Sequence, residues 1–366
     1  MKRIIISRTD NLGDVILTLP MAGILKQEMP GCYIIFLGKS YTRPLIEACK
    51  FVDQFLDVEN LSSIQHPCLS GRQAASSISS FIGLKADIIL HVFPVKEIQK
   101  LAKTAKIPIR IGTSHRWYSW LYCNKLIHYS RKKSNLHEAQ LNLKLLEPLG
   151  ITKEFSLSEI PSFYGLTKLA SSRVDKLTSS STHQFISSSA SELGGQKLNN
   201  GGAFNLILHP KSKGSAREWG LDNFSKLIDL LPEDKFRISV TGTKEEGALM
   251  KDFLYQHRNR INDMTGKLSL SELLAFINSC DGLVAASTGP LHIAAALGKR
   301  AIGIYAPMRP IFPQRWAPLG KNATYLALDK KCNACRKSGN CECIRAITPE
   351  QVAEKLLINH LNIILE

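Results

Sequence analysis

The sequence predicts an α/β protein with two doubly wound parallel sheets. Three observations lead there. Short, continuous β-branched runs look like strands buried on both faces. Segments with a rough helical stripe separate them. The same grammar starts again in the second half of the 366 residues, without a residue-level repeat. At about 150 residues per domain, this length also suggests two domains.

In chain order, Ile4-Ile5-Ile6 predicts a first strand and Arg8–Asp14 a polar loop containing Gly13. Val15, Leu17, Leu19, Met21, Ile24 and Leu25 predict one helix that stops before Pro30-Gly31. Tyr33–Leu37 predicts a strand, Arg43–Cys49 a helix and Asp87–Val92 a strand. The second unit opens with a strand at Phe204–Leu208. A helix at Leu221–Leu231, a strand at Phe236–Val240 and helices at Lys244–Tyr255 and Leu270–Asn278 follow. The strand Leu283–Ala286, the helix Leu291–Leu297 and the strand Ala301–Tyr305 complete it. Between the units, Leu166–Gly202 is rich in serine, glycine and asparagine, the composition of a linker or mobile excursion. Thr348-Pro349-Glu350 has the form of a helix start, and Val352, Leu356, Leu357 and Leu361 supply a docking stripe.

Composition sets limits on function. Apolar residues are 44% and charged residues 21%, the balance of a folded chain rather than a disordered one. No apolar stretch approaches the ~20 residues of a spanning helix. The N-terminus has Lys2 and Arg3 but only three isoleucines before Ser7, so no signal peptide is expected and a cytoplasmic location is. Lys plus Arg is 47 against 31 acids, net +16. This favours polyanionic partners, whether nucleic acid, anionic lipid or phosphorylated substrate. The cations are scattered over loops, which argues against nucleic acid.

Ligands of doubly wound domains bind beyond the carboxyl ends of strands. No G-x-G-x-x-G loop and no Walker lysine loop follows a predicted strand. Three other loops carry chemistry. Ser287-Thr288-Gly289-Pro290-Leu291-His292 opens a helix whose first-turn amides suit a phosphate; the plainer alternative is a capped helix. His209-Pro210-Lys211-Ser212-Lys213-Gly214-Ser215-Ala216-Arg217 gathers hydroxyls and three cations, either for an anion or as a solvated basic loop. Asp10, Asn11, Gly13 and Asp14 follow the first strand. Asp14 is there either as a helix cap or as a general base.

These loops resemble glycosyltransferase family nine, the bacterial ADP-heptose–lipopolysaccharide heptosyltransferases. The stretches that carry the resemblance are Arg8–Pro20, His209–Trp219 and Ser287–Gly298, with Ile107–Gly112, His137–Gly150 and Ala346–Glu350 in support. The resemblance implies a GT-B fold, two Rossmann-like domains facing across a cleft. It divides the chain into an acceptor-binding domain (1–165), the Ser/Gly-rich segment (166–203), a nucleotide-sugar-binding domain (204–346) and a C-terminal helix (347–366) packing back toward the first domain. It implies inverting transfer of heptose from ADP-heptose to the inner core of lipopolysaccharide, at the cytoplasmic face of the inner membrane and in transient contact with its anionic surface. No cofactor is implied; the ADP-sugar is the donor substrate, and no Asp-x-Asp pair is present to hold a metal on its diphosphate.

By the same resemblance Asp14 is the base. Lys211, Ser212, Lys213, Arg217, Glu245, Leu268, Ser287, Thr288, Gly289, Pro290 and His292 serve the donor, with Glu246 competing for the place of Glu245. On the acceptor side the residues themselves offer Asp10, Asn11 and Gly13, and Arg116, Arg131 and Lys132 of a basic, aromatic stretch in the first domain; a core aromatic cluster followed by a solvated charge run is the alternative. Ser287 stands where a well-known branch has Asp, so a different nucleotide sugar is the nearest alternative, and a sugar-nucleotide epimerase of related architecture the more distant one. Cys332, Cys335, Cys341 and Cys343 have a spacing compatible with structural zinc. Reduced thiols or an adventitious disulfide are the alternative readings.

Overall fold

The computed structural model describes residues 1–61, 78–131, 133–167, 202–330, 332 and 341–362, with side chains to residue 357. Among them are two parallel six-stranded sheets. The first contains β1 (Arg3–Ser7), β2 (Tyr33–Gly38), β3 (Gln54–Asp57), β4 (Ile88–His91), β5 (Ile109–Thr113) and β6 (Lys125–Ile127), in the order β3-β2-β1-β4-β5-β6. The second contains β7 (Phe204–His209), β8 (Phe236–Val240), β9 (Ile261–Asp263), β10 (Gly282–Ala286), β11 (Arg300–Tyr305) and β12 (Ala323–Ala327), in the order β12-β11-β10-β7-β8-β9. Each sheet reverses its winding once, between β1 and β4 and between β7 and β10. The crevice at such a reversal is where these folds bind ligands.

The isoleucine runs form strands because both faces of each sheet are covered. Ile4, Ile5 and Ile6 have no exposed surface. Strands β3, β6, β9 and β12 lie at sheet edges and are short or half-buried, so their sequences carry weaker patterns.

Three expectations change. The segment after the first loop is two helices, Leu12–Ile16 and Leu19–Glu28. Pro20 lacks an amide proton and sits in the first turn of the second, so a new helix has to begin there. Lys244–Tyr255 is likewise two helices, Lys244–Leu249 and Lys251–Gln256, meeting at Met250 with ψ near zero. The C-terminal helix Pro349–Asn362 does not pack back toward the first domain over its described side chains. Val352, Ala353 and Leu356 join the core of the second domain with Phe224, Leu227 and Ile228. Arg300 Nη1 holds the Leu356 carbonyl at 2.6 Å, and Trp219 Nε1 holds that of Ile347 at 2.7 Å. The stripe finds its apolar partner in the helix Leu221–Leu230 beside it. The Ser-rich segment lies outside the described residues from 168 to 201.

Gly23 provides a test of the packing. It sits mid-helix, where alanine normally stabilises by about 1 kcal/mol. Here a Cβ would lie 2.6 Å from the Phe163 carbonyl oxygen. Gly23→Ala is therefore expected to destabilise, by about 1–3 kcal/mol, read as a lowered urea midpoint; a raised midpoint would refute this packing.

Candidate active site

The loops after β1, β7 and β10 converge from the two domains on one cavity of about 910 Å³, the size of a small-molecule site. All three follow the strands at which the sheets reverse. The two domains touch at its floor. A Cβ on Gly289 would meet Leu12 Cδ2 at 2.9 Å, and one on Gly13 would lie 3.5 Å from His292 Cδ2. The first turns of the helices Leu12–Ile16 and Gly289–Ala296 thus face each other.

On the second-domain side, Ser287, Thr288, Gly289, Pro290 and His292 line the cavity together. Pro290 fits the first turn of an eight-residue helix. Thr288 forms no side-chain cap on that helix. Its Oγ1 is buried without a hydrogen-bond partner, and so is His292 Nδ1. Two unpartnered buried polar atoms thus stand beside the first-turn helix amides, an arrangement whose chemistry suits an anion. Burial holds the His292 imidazole down at about 3, with His137 adding to the effect, so the ring is neutral at pH 7. His209 is also buried, with its pKa lowered by desolvation, and pairs with Thr241 Oγ1 at 3.0 Å.

The basic loop divides. Lys213 and Ser212 line the cavity, and left-handed φ values of 47° at Lys213 and 77° at Gly214 turn the loop there. Lys211 points elsewhere, donating to Glu218 at 2.9 Å. Arg217 is not among the lining residues. Glu245 and Glu246 both line the cavity. Glu246 is buried and closes a capping box with Thr243, while Glu245 is exposed on the cavity wall with its pKa lowered by local hydrogen bonds, its own backbone first. Leu268 forms an apolar wall with Met264 and Leu273.

On the first-domain side, Asn11, Gly13 and Asp14 line the cavity, with Asp14 in the first helical turn. The guanidinium of Arg8 holds one Asp14 oxygen and donates to Asp10 at 2.6 Å. Burial raises the Asp10 carboxyl, against the lowering effect of Arg8.

The expected acceptor cations are not brought together. Arg131 is bound to buried Glu138 and is no open anion site. Arg116 is exposed at the start of the helix Trp117–Tyr122, away from the cavity lining. Lys132 lies outside the described residues. So does Cys335, and among the described residues no group of three His, Cys, Asp or Glu is placed to hold a metal. Cys341 and Cys343 are buried beside Cys332. Sequence reasoning missed Arg315 and Trp316, which line the cavity from the helix Pro313–Trp316. Both lie in the connection after the predicted strand Ala301–Tyr305, on a short helix that the sequence pattern does not mark.

The family model for glycosyltransferase family 9 (heptosyltransferase) matches residues 100–344. A glycosyltransferase of Haemophilus influenzae, its name marked provisional, is 25% identical over 89% of each chain. Lipopolysaccharide heptosyltransferase 3 of Escherichia coli is 21% identical over 83% of this chain and 82% of that one. Among solved structures, E. coli ADP-heptose lipopolysaccharide heptosyltransferase II superposes with a TM-score of 0.71 at 17% identity, covering 99% of both chains. The shared fold is GT-B.

Thr288 separates stability from binding. Thr288→Val removes an orphaned hydroxyl while nearly keeping its shape, so the thermal midpoint should hold or rise. Affinity for inorganic pyrophosphate, read by calorimetry, should fall about tenfold for a lost hydrogen bond to a charged group. Unchanged affinity would remove Thr288 from the site.

Proposed function

From the premise that this chain belongs to glycosyltransferase family 9, we propose that it transfers heptose from ADP-heptose to the inner core of lipopolysaccharide, with inversion and without a metal ion. The observation that carries this reading is the division of the cavity between the domains. A carboxylate stands on one wall, and orphaned anion-binding groups with Lys213 stand on the other. Inverting transfer needs this division, because the acceptor hydroxyl must lose its proton on the face opposite the departing diphosphate.

In this mechanism Leu268, Met264 and Leu273 hold the adenine, and Glu245 the ribose. The amides of Gly289 and its neighbours, Thr288 Oγ1 and Lys213 receive the negative charge that develops on ADP. Such preorganised donors lower a barrier by about 3 kcal/mol each. Asp14 takes the proton of the attacking hydroxyl as the new glycosidic bond forms. Arg8, holding one carboxylate oxygen, leaves the other to face the cavity.

Membrane contact belongs to the same proposal. The helix Trp117–Tyr122 exposes Trp117 and Trp120 by 65% and 60% of their surface, and Leu121 by 53%. Lys96 stands 5.3 Å from the Trp117 ring and Lys103 5.8 Å from that of Tyr122, while Arg116 and Lys125 are exposed nearby. Aromatic rings ringed by cations suit an anionic bilayer surface. The helix starts at the carboxyl end of β5, the same side of the sheet as Asp14. Sedimentation with phosphatidylglycerol vesicles should carry the protein down. Trp117→Ala with Trp120→Ala should leave it in the supernatant, and equal sedimentation of the two would exclude this face.

The reaction is tested by incubating the protein with a panel of nucleotide sugars and defined core acceptors in EDTA, and weighing the product. A heptose added from ADP-heptose supports the proposal. Another transferred sugar, or turnover only after magnesium is restored, overturns the corresponding part. Asp14→Asn keeps the shape of the side chain but cannot take a proton. It should fold normally, retain donor affinity and lose ~10²-fold or more in kcat. Full turnover in Asp14→Asn together with a dead Asp10→Asn would move the base to Asp10.

A further inference from the structure

Behind the first-domain wall lies a charge cluster that the transfer chemistry does not by itself require. Glu138 begins the helix Glu138–Leu143 and is 1% exposed. Its Oε1 accepts from Arg131 and lies 3.5 Å from Arg8 Nη1. Its Oε2 accepts from Arg315 twice, at 3.2 Å from Nε and 2.9 Å from Nη2. Arg315 Nη1 also donates to the Arg131 carbonyl at 3.0 Å. Arg8 and Arg131 belong to the first domain, but Arg315 reaches across from the second. A carboxylate this deeply buried needs countercharge. Part of it is supplied only while the domains are together.

Arg8 is the group divided by this arrangement. Nε serves Asp10 and Nη2 serves Asp14; Nη1 lies 3.3 Å from Asn142 Oδ1 and 3.5 Å from Glu138. With Arg315 in place, both Glu138 oxygens are satisfied by other arginines. Without it, Oε2 loses two hydrogen bonds, and Arg8 is the nearest remaining cation besides Arg131.

We infer that Glu138 and Arg315 form a latch between the domains that makes the Asp14 base competent: closing the cleft sets Arg315 on Glu138 and leaves Arg8 to hold the Asp14 carboxylate. Both are positioning residues. The inference rests on the reading of Asp14 as base and adds what controls it. A base armed only in the closed state protects the donor from attack by water while the cleft is open.

The charged and titratable groups around Asp14 come from every neighbouring element. Arg8 and Asp10 flank it on its own loop, and Tyr41 donates to the Asp10 carbonyl at 2.8 Å. Glu138, Arg131 and Tyr129 stand behind it, with Arg315 from the second domain. His292, neutral at pH 7, faces it across Gly13, with His137 behind.

The test uses the acidic limb of the kcat–pH profile, which reports the base in the substrate complex. Arg315→Met removes a positive charge and should move the limb to higher pH. Glu138→Gln removes a negative charge and should move it to lower pH. Each shift should be about half a unit or more. The double variant, with the same net charge as the native pair, and Arg315→Lys should both restore the native limb. A role in packing alone would lower the thermal midpoint and leave the limb in place. Unmoved limbs, or shifts of both single variants in one direction, overturn the inference. Small-angle scattering supplies an arm independent of turnover. Arg315→Met should show a larger radius of gyration than the native chain, and an equal one overturns the latch. Absence of transfer from any nucleotide sugar would instead refute the proposed reaction, with the scattering comparison still deciding the latch.

Discussion

The cleft is organised around one buried cation. Arg8 leaves the carboxyl end of β1 with 2% of its surface exposed, and a guanidinium cannot shed its proton to escape burial. Every donor it carries must therefore meet an acceptor, and the surrounding chain is arranged to supply them. Asp10, Asp14, Asn142 and Glu138 come from two separate stretches, and Asn142 also donates to the Leu17 carbonyl at 3.2 Å. That contact ties the helix Glu138–Leu143 to the segment that carries Asp14. The same cation pairs with both aspartates. Burial raises the Asp10 carboxyl, with Asp14 adding to the rise and Arg8 opposing it. Asp14 lines the cavity.

The second domain solves a different electrostatic problem. The two histidines of its cavity wall bring no charge at neutral pH, because burial lowers His209 and His292, as it lowers His137 across the interface. Positive potential there comes from the first-turn helix amides and from Lys213, Lys244 and Arg315, which line the cavity; the Lys213 side chain is exposed while its backbone amide donates to Glu246 Oε1 at 3.2 Å. An amide dipole needs no counterion and does not change with pH.

Much of this was legible in the sequence, for an identifiable reason. Strands buried on both faces, such as Ile4–Ile6 and Leu283–Ala286, cannot be anything but apolar, and the loops after them hold Asp14 and Thr288. Edge strands such as Lys125–Ile127 escape notice because only part of each is buried. The capping boxes at Thr243 and Ser269 are local and readable from their T-x-x-E and S-x-x-E spacing, and the one at Thr243 uses Glu246. Arg131 shows what a single sequence hides. It stands in a basic run with Lys132 and Lys133 and looks solvated, yet its partner Glu138 is seven residues away and buried. Pairing across domains is less visible still, since Arg315 and Glu138 are 177 residues apart.

The position of the domain contact explains why two separate sheets can make one site. The floor of the cavity is the meeting of Leu12 with Gly289, where a side chain larger than hydrogen on residue 289 would strike the leucine. The two helix starts can therefore approach closely, and the apolar cluster runs without a break from Val15 and Ile16 to Leu291 and Ile293. Apolar burial supplies attraction at that contact but little direction. Direction comes from the polar contacts higher on the wall: His137 Nε2 with the Ala317 carbonyl at 2.9 Å, and Arg315 with Glu138. Each of these is strong only when desolvated and aligned, so a partly opened cleft loses them early while the apolar floor still holds. On the proposed mechanism, that division separates the affinity of the domains for one another from the geometry of the base, and only the second has to be exact for proton transfer.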